Sequence, residues 1–135
     1  MNALLSRLRD DRGSASTQLV LVVPVLLLLA LLIVQFALVW HARHIAQYAA
    51  QRALATARTK GATATDGRAQ ARRSLAALSS RILTAPSVAV DRTTAQTTVR
   101  VGGTVMAVVP GLALHASGTA AGPTERITTP AGDRS

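Results

Sequence analysis

The segment LVLVVPVLLLLALLIVQFALVW, residues 19–40, contains no charged side chain and is interrupted only by Pro24 and Gln35. Seventeen of its 22 residues are Leu, Val, Ile or Phe. As an α-helix it extends ~33 Å, against a hydrocarbon core of about 30 Å. Its apolar side chains favour insertion by about 5 to 10 kcal/mol in total. The segment is therefore predicted to span a membrane.

The flanks of this span decide between a removable signal and a retained anchor. A secretory signal has an apolar stretch of about 7 to 15 residues, followed closely by a small-x-small cleavage site. The nearest such site, Ala53-Leu54-Ala55, begins thirteen residues beyond Trp40, so we expect signal peptidase to leave the anchor in place. Basic residues flank both ends of the span, so charge alone leaves its orientation undecided. Trp40 is expected at the membrane interface, on either face.

The helix is predicted to continue beyond the span, because residues 41–58 lack Gly and Pro and are rich in alanine. Ile45, Ala49, Ala53 and Ala57 recur at every fourth position and form a narrow stripe of mostly small side chains. Such a stripe lets a second helix approach closely. Alanine is also simply a strong helix former, and the sequence leaves both interpretations open.

A second helix is predicted over RAQARRSLAALSSRIL, residues 68–83, after a break at residues 61–67. Its apolar face consists of Ala71, Leu75, Leu78 and Ile82. Thr65 or Asp66 is the expected cap of its first turn, and Pro86 the expected limit of its end.

From residue 87 onward, apolar residues alternate with small or polar ones, which predicts two to four antiparallel strands, with Gly102–Gly103 as a tight turn or bulge. The fold class is therefore α+β, with a long N-terminal transmembrane helix, a second helix and a small antiparallel sheet. The expected divisions are a basic leader at 1–13, the transmembrane and extended helix at 14–60, an α+β head at 61–121 and a disordered tail at 122–135.

Composition argues against several functions. Fifteen Lys and Arg against six Asp and Glu make the chain basic, but no basic run is interleaved with aromatic residues, so nucleic-acid binding is not expected. The absence of cysteine excludes disulfides and thiolate chemistry.

The few carboxylates stand far apart and no phosphate-binding loop is present, so we expect neither enzymatic activity nor a cofactor. His41 and His44 share a helical face, where an interfacial role is expected rather than a metal site.

Residues 12–57 resemble the start of the TadE-like proteins, pseudopilins of the tight adherence (Flp) pilus systems. Arg12-Gly13 matches the family's Arg-Gly pair, residues 14–17 its small residues, and Pro24 its proline within the apolar run. YAAQRALATA, residues 48–57, stands where the family has an Ala- and Arg-rich segment. The alternating portion up to about residue 120 is also similar, with looser patterning. The family usually has Glu-Phe where this chain has Gln18-Leu19.

The resemblance implies a single-pass membrane protein with a cytoplasmic N-terminus, an extracytoplasmic pilin-like head and a role as minor pseudopilin or assembly factor. A prepilin peptidase would cut between Gly13 and Ser14 and leave the apolar segment on the mature protein. The implied partners are membrane lipid, that peptidase, and other pilin-like or Tad secretion-system proteins. The residues expected to serve assembly and helix packing are Gln18, Pro24, Gln35, Ala49 and Ala53.

A specific chemical role is expected for two of these residues, Gln18 and Gln35. In pilin-type assembly the usual glutamate offsets the new N-terminal amine of a neighbour, whereas Gln18 can accept a hydrogen bond without neutralising that charge. Gln35 is expected to add an interhelical hydrogen bond within the membrane.

Two other functions compete with this interpretation. In one, the protein is an unprocessed single-pass anchor whose head binds another envelope protein. In the other, it is a basic membrane-surface protein that binds anionic lipid through Arg68, Arg72, Arg73 and Arg81.

Overall fold

The N-terminal part of the chain is one continuous helix, α1 (Asn2–Ala57). This computed structural model describes residues 2–78 and 81–126, and their side chains from residue 18 onward. The backbone of the expected leader is helical from Asn2 and has no break before the apolar run. Pro24 lies inside α1. It removes one backbone hydrogen bond, a loss that membrane spans tolerate when the freed carbonyl finds another partner.

Four shorter elements follow, and we call them and their loops the head. They are α2 (Ala64–Leu78), β1 (Leu83–Arg92), β2 (Gln96–Val105) and β3 (Leu114–Pro123). The strands form one antiparallel sheet in the order β1-β2-β3. This architecture confirms the predicted α+β class, with a long apolar N-terminal helix, a second helix and a small antiparallel sheet.

One face of the sheet packs against the two helices. Burial alternates along β2 and β3, as the two-residue period of a strand requires. The buried positions are Thr97, Val99, Val101 and Val105 in β2, and Ala116, Gly118 and Ala120 in β3. The helices therefore cover one layer of small and β-branched side chains, and the opposite face carries the more exposed positions.

α2 begins and ends earlier than the predicted range of 68–83. Thr63 precedes its first turn, and the Thr63 hydroxyl accepts a hydrogen bond from the Asp66 backbone N–H (3.2 Å). The Asp66 carboxylate in turn accepts one from the Thr63 N–H (2.7 Å). This reciprocal capping box starts the helix inside the segment predicted to be a break. Gly67, also assigned to that break, is buried within α2.

β1 begins at Leu83, so Pro86 lies within a strand and does not mark the end of a helix. The pairing of β1 with β2 shifts register between Thr84 and Ser87, and Ala85 in this bulge has a positive φ of 46°. Because β1 is an edge strand, a bulge can accommodate a proline there without the loss of a central ladder bond. The one extra residue also brings Leu83 and Val90 to the same buried side.

Gly102 and Gly103 pair in register with β3 in the middle of β2, so the expected turn is wrong, whereas a bulge does occur beside them, in β1 opposite Gly103. A Cβ at Gly103 would lie 2.8 Å from the Leu83 side chain and 2.9 Å from the Thr84 carbonyl oxygen. The glycine is therefore required by the close approach of β1, not by a reversal of the chain.

β3 continues to Pro123 and so includes the first two residues of the expected tail. Beyond it, the Thr124 N–H donates to the Ala95 carbonyl (3.2 Å) and the Glu125 N–H to the Arg58 carbonyl (3.1 Å). These bonds tie residues 124 and 125 to the far end of the head. The rest of the expected tail, from residue 127, lies outside the described residues.

The core is shared between α1 and the head. Among the described residues, seven of the sixteen buried apolar side chains belong to α1, between Ala42 and Ala57. Six of those seven are alanines, whose small side chains let the sheet and α2 come close to the helix backbone. The outer part of α1 is therefore a structural component of the head, although the expected division at residue 60 assigns it to the anchor.

Candidate functional site

The surface of α1 has two parts. Residues 19–29 are uncovered, whereas the head packs against the outer part, residues 35–57. From Leu19 to Leu29 every large apolar side chain is exposed, from 44% at Val22 to 73% at Val20. Exposed apolar surface of this extent marks a site of contact with lipid or with another apolar surface. In the part of the chain that the structure describes, α1 is the one helix long and apolar enough to cross a membrane.

Gln35 interrupts the apolar run, and its side chain is completely buried. Its Oε1 accepts a hydrogen bond from the Val108 backbone N–H (2.7 Å) and a longer one from the Val109 N–H (3.4 Å). Its Nε2 donates to the Met106 carbonyl (3.3 Å). In this conformation both ends of the Gln35 amide bind the chain's own backbone, and a bond from Gln35 to another helix stays a prediction.

The segment held by Gln35 is the β2–β3 loop, residues 106–113, which contains no charged side chain. Val109 to Leu112 form a β-turn in which the Leu112 N–H donates to the Val109 carbonyl (3.1 Å). Pro110 and Gly111 occupy its two central positions, and Gly111 has a φ of 81°. A proline followed by a glycine at positive φ is the signature of a type II turn. The loop is therefore an ordered apolar turn attached to α1.

Gln47 makes a second attachment between α1 and the sheet. Its Nε2 donates to the Thr119 carbonyl (3.0 Å), and its Oε1 accepts from the Thr119 N–H (3.1 Å). The amide thus gives one residue of edge strand β3 the pair of bonds that another strand would supply. The sequence analysis did not single out Gln47, and no local signal could have identified it, because its partner lies 72 residues away.

The alanine stripe of α1 is covered by the head of the same chain. Ala49 and Ala53 have no exposed surface. Gly67 of α2 lies so close that a Cβ there would be 2.8 Å from the Ala57 Cβ, and a Cβ at Gly118 of β3 would overlap the backbone of α1. The close approach predicted for this stripe therefore occurs within the chain, and in this conformation the stripe is not accessible to another subunit.

The exposed side of the outer α1 carries a different stripe, which we call the aromatic ridge: Phe36, Trp40, His44 and Tyr48. These residues follow each other at every fourth position and are all exposed, with Trp40 at 67% and Phe36 at 63%. The Trp40 and His44 rings meet edge to face, with centroids 5.3 Å apart. The ridge includes every Phe, Trp and Tyr of the chain. It is an i, i+4 ridge of the kind that packs into the groove of a second helix.

The remaining predicted positions lie on α1, on α2 and at Arg81 before β1. Gly13 and Ser14 lie on the helical backbone of α1. Gln18 and Pro24 are exposed, as is His41. The arginines considered for anionic lipid, Arg68, Arg72, Arg73 and Arg81, are also exposed. Within residues 18–78 and 81–126 no group of three or more metal-ligating side chains forms.

The carboxyl group of Asp66, in the first turn of α2, has a lowered pKa. The backbone N–H and the hydroxyl of Thr63 both donate to its carboxylate, at 2.7 and 2.8 Å, and hold its pKa below the ordinary value of 3.8. Both bonds stabilise the charged form, so this carboxylate is part of the helix cap.

Comparison with known proteins gives one family match. No curated protein and no solved structure matches the chain. Residues 13–54, from the expected cleavage position to the alanine stripe, match the family model of the TadE-like proteins, which confirms the resemblance found in the sequence.

Proposed function

We propose that the protein is a minor pseudopilin or assembly factor of a Tad pilus or related secretion system. It is anchored once in the membrane, with its N-terminus in the cytoplasm and its head outside, and has a structural rather than a catalytic role. The family match over residues 13–54 supports association with a Tad pilus system. In this proposal α1 packs against the helices of other pilin-like subunits in an envelope assembly.

The observation that carries this proposal is the aromatic ridge. A small protein normally places its few aromatic residues in the core, because each removes a large apolar area from water. Here the core is built from Ala, Val, Leu and Ile, while Phe36 and Trp40 are exposed at the end of the apolar run and Tyr48 is exposed on the same helix two turns beyond it. Aromatic residues are enriched at protein interfaces, and a ridge at i, i+4 spacing fits a helical partner. The ridge replaces the alanine stripe as the assembly face.

Photo-crosslinking in cells that contain the Tad system tests this interface. We expect a photoreactive amino acid at Trp40 or Tyr48 to crosslink to other pilin-like or Tad proteins. The matched control is Ala89, which is exposed on β1 away from the ridge. Crosslinks of equal yield from all three positions, or from Ala89 alone, would remove the ridge from the assembly interface.

Processing is the second component of the proposal. Cleavage between Gly13 and Ser14 would leave a mature chain that begins with the helix and retains the whole apolar run. The mass of the protein extracted from membranes, with and without the prepilin peptidase, measures this directly. We expect the mature mass only when the peptidase is present, and an intact leader in both samples would contradict processing.

Gln18 favours one alternative, an unprocessed single-pass anchor whose head binds another envelope protein. Its amide cannot neutralise the N-terminal amine of a neighbouring subunit. A Gln18→Glu variant separates the two functions. In a pseudopilin the restored carboxylate should raise copurification with other pilin-like proteins, whereas in an unprocessed anchor it should have no such effect.

A further inference from the structure

We propose that the β2–β3 loop, residues 106–113, is a second membrane-binding element that inserts among the lipids on the head side of the bilayer. This inference rests on the proposed membrane anchor, because the loop reaches the bilayer only if α1 spans it. Lipid covers the apolar surface of the loop, and Gln35 holds the loop at the necessary depth in the bilayer.

The position of Gln35 sets the depth of the loop. Trp40 is the last residue of the apolar run and is exposed, as expected of an interfacial anchor. Gln35 lies five residues closer to the membrane centre, or ~7.5 Å along the helix axis. Helix side chains also point toward the N-terminus, which here is the membrane side. Since the Val108 nitrogen lies 2.7 Å from the Gln35 oxygen, the loop backbone is on the membrane side of Trp40.

The extent of the apolar run supports the same placement of the bilayer. A hydrocarbon core of about 30 Å corresponds to about 20 helical residues. With Trp40 at one boundary, the other falls near Leu19, where the apolar run begins and Gln18 precedes it. If the bilayer ended at Gln35 instead, residues 15–18, Ala-Ser-Thr-Gln, would enter the hydrocarbon while Phe36 and Leu38 left it. The first placement buries more apolar surface and fewer polar groups.

The chemistry of the loop suits a lipid environment. It has no charged or polar side chain, and Met106, Ala107 and Pro110 are exposed on it. Irregular backbone at membrane depth requires partners for its N–H and C=O groups. Gln35 supplies them for Val108, Val109 and the Met106 carbonyl, while the turn supplies one for Leu112 and proline has no N–H. The polar residue that interrupts the span thus satisfies three backbone groups of the inserted loop.

Single-cysteine labelling of the full chain tests the loop, since the natural sequence has no cysteine. Ala107→Cys reports on the loop. Ala95→Cys, in the β1–β2 turn at the opposite end of the sheet, is the matched alanine control, and Leu27→Cys reports on the span. Each variant is labelled with bimane and reconstituted in vesicles of phosphatidylcholine and phosphatidylglycerol in equal parts. A nitroxide on the upper acyl chain of the lipid, a nitroxide near the acyl-chain end for the label at 27, or iodide in the water then quenches the fluorescence.

We expect the nitroxide lipid to quench the label at 107 several-fold more strongly than the label at 95, and iodide to show the reverse order. Equal nitroxide quenching at 107 and 95, with strong quenching at 27, would overturn the loop proposal and leave the anchor intact. Absence of quenching at 27 would instead overturn the anchor itself. Protection of 107 from both quenchers would show that another protein copy covers the loop, which also overturns the assignment to lipid.

Discussion

Gly118 is the residue at which β3 comes closest to α1, and one methyl group there tests the packing of the whole interface. A Cβ at Gly118 would overlap the backbone of Ala46 and Gln47, which a helix cannot move without disturbing its own hydrogen bonds. We expect Gly118→Ala to lower the free energy of unfolding by about 1 to 3 kcal/mol. Chemical denaturation of the full chain in detergent measures this.

The matched control for that variant is Gly102→Ala in β2. Its Cβ would lie 3.5 Å or more from the nearest atoms, which is an ordinary contact distance. We expect it to be nearly neutral, so equal destabilisation by the two variants would show that loss of strand glycines, rather than overlap with α1, causes the effect.

Gln35 is the residue that joins the span to the head. Replacement by leucine keeps the size of the side chain but leaves the partly buried N–H of Val108 without its acceptor, at a cost of about 1 to 3 kcal/mol. We expect Gln35→Leu to accelerate amide hydrogen exchange at Val108 and Val109. Gln51→Leu, the same change at an exposed position of α1, is the control. Unchanged exchange at Val108 in the Gln35 variant would contradict the assigned bonds.

At the scale of single elements, the capping box of α2 predicts a pH dependence. The pKa of Asp66 is lower in the folded chain than in the unfolded chain, because Thr63 donates two hydrogen bonds to the carboxylate. The carboxylate therefore adds stability above its unfolded pKa, and this contribution is lost as the pH falls through the folded pKa. We expect Asp66→Asn to lower Tm at pH 7 and to leave it almost unchanged at about pH 2.

The control for the capping box is Thr63→Ser, which keeps the hydroxyl and should keep the pH dependence. Thr63→Ala should cost about 1 kcal/mol, the usual value for loss of an N-cap side chain. A difference between the wild type and Asp66→Asn that stays constant from pH 7 to pH 2 would show that charge at this position does not stabilise the helix.

The helices and strands also show which structural features could be predicted from the sequence. The continuation of α1 beyond the apolar run and the alternation of the strands follow from local periodicity, and both were predicted, whereas the helical backbone of residues 2–13 was not. Pro86 was misinterpreted because an edge strand with a bulge can accept a proline. Of the two expectations for Gly103, the turn was wrong, because the glycine is required by the close contact with Leu83 beside the bulge of β1. The partners of Gln35 lie 71 to 74 residues away in sequence, so no local pattern could identify them.

At the scale of the whole molecule, anchor and head share α1, and this predicts which fragments fold. The part of α1 from Ala42 to Ala57 contributes seven of the sixteen buried apolar side chains in the described residues. A fragment of residues 61–126 lacks all seven and exposes the apolar face of its sheet. A fragment of residues 35–126 retains them, together with both glutamines that bind the head. It omits most of the exposed apolar surface of the span.

We therefore expect residues 35–126 to give a dispersed amide NMR spectrum and a cooperative thermal transition. Residues 61–126 should be unfolded or aggregated under the same conditions, because three strands and one helix cannot form this core without the alanines of α1. Adding a synthetic peptide of residues 35–60 to the shorter fragment should restore dispersion, which separates loss of the core from a general loss of solubility. A cooperative transition in residues 61–126 alone would show that the head is independent of α1 and that the anchor only tethers it.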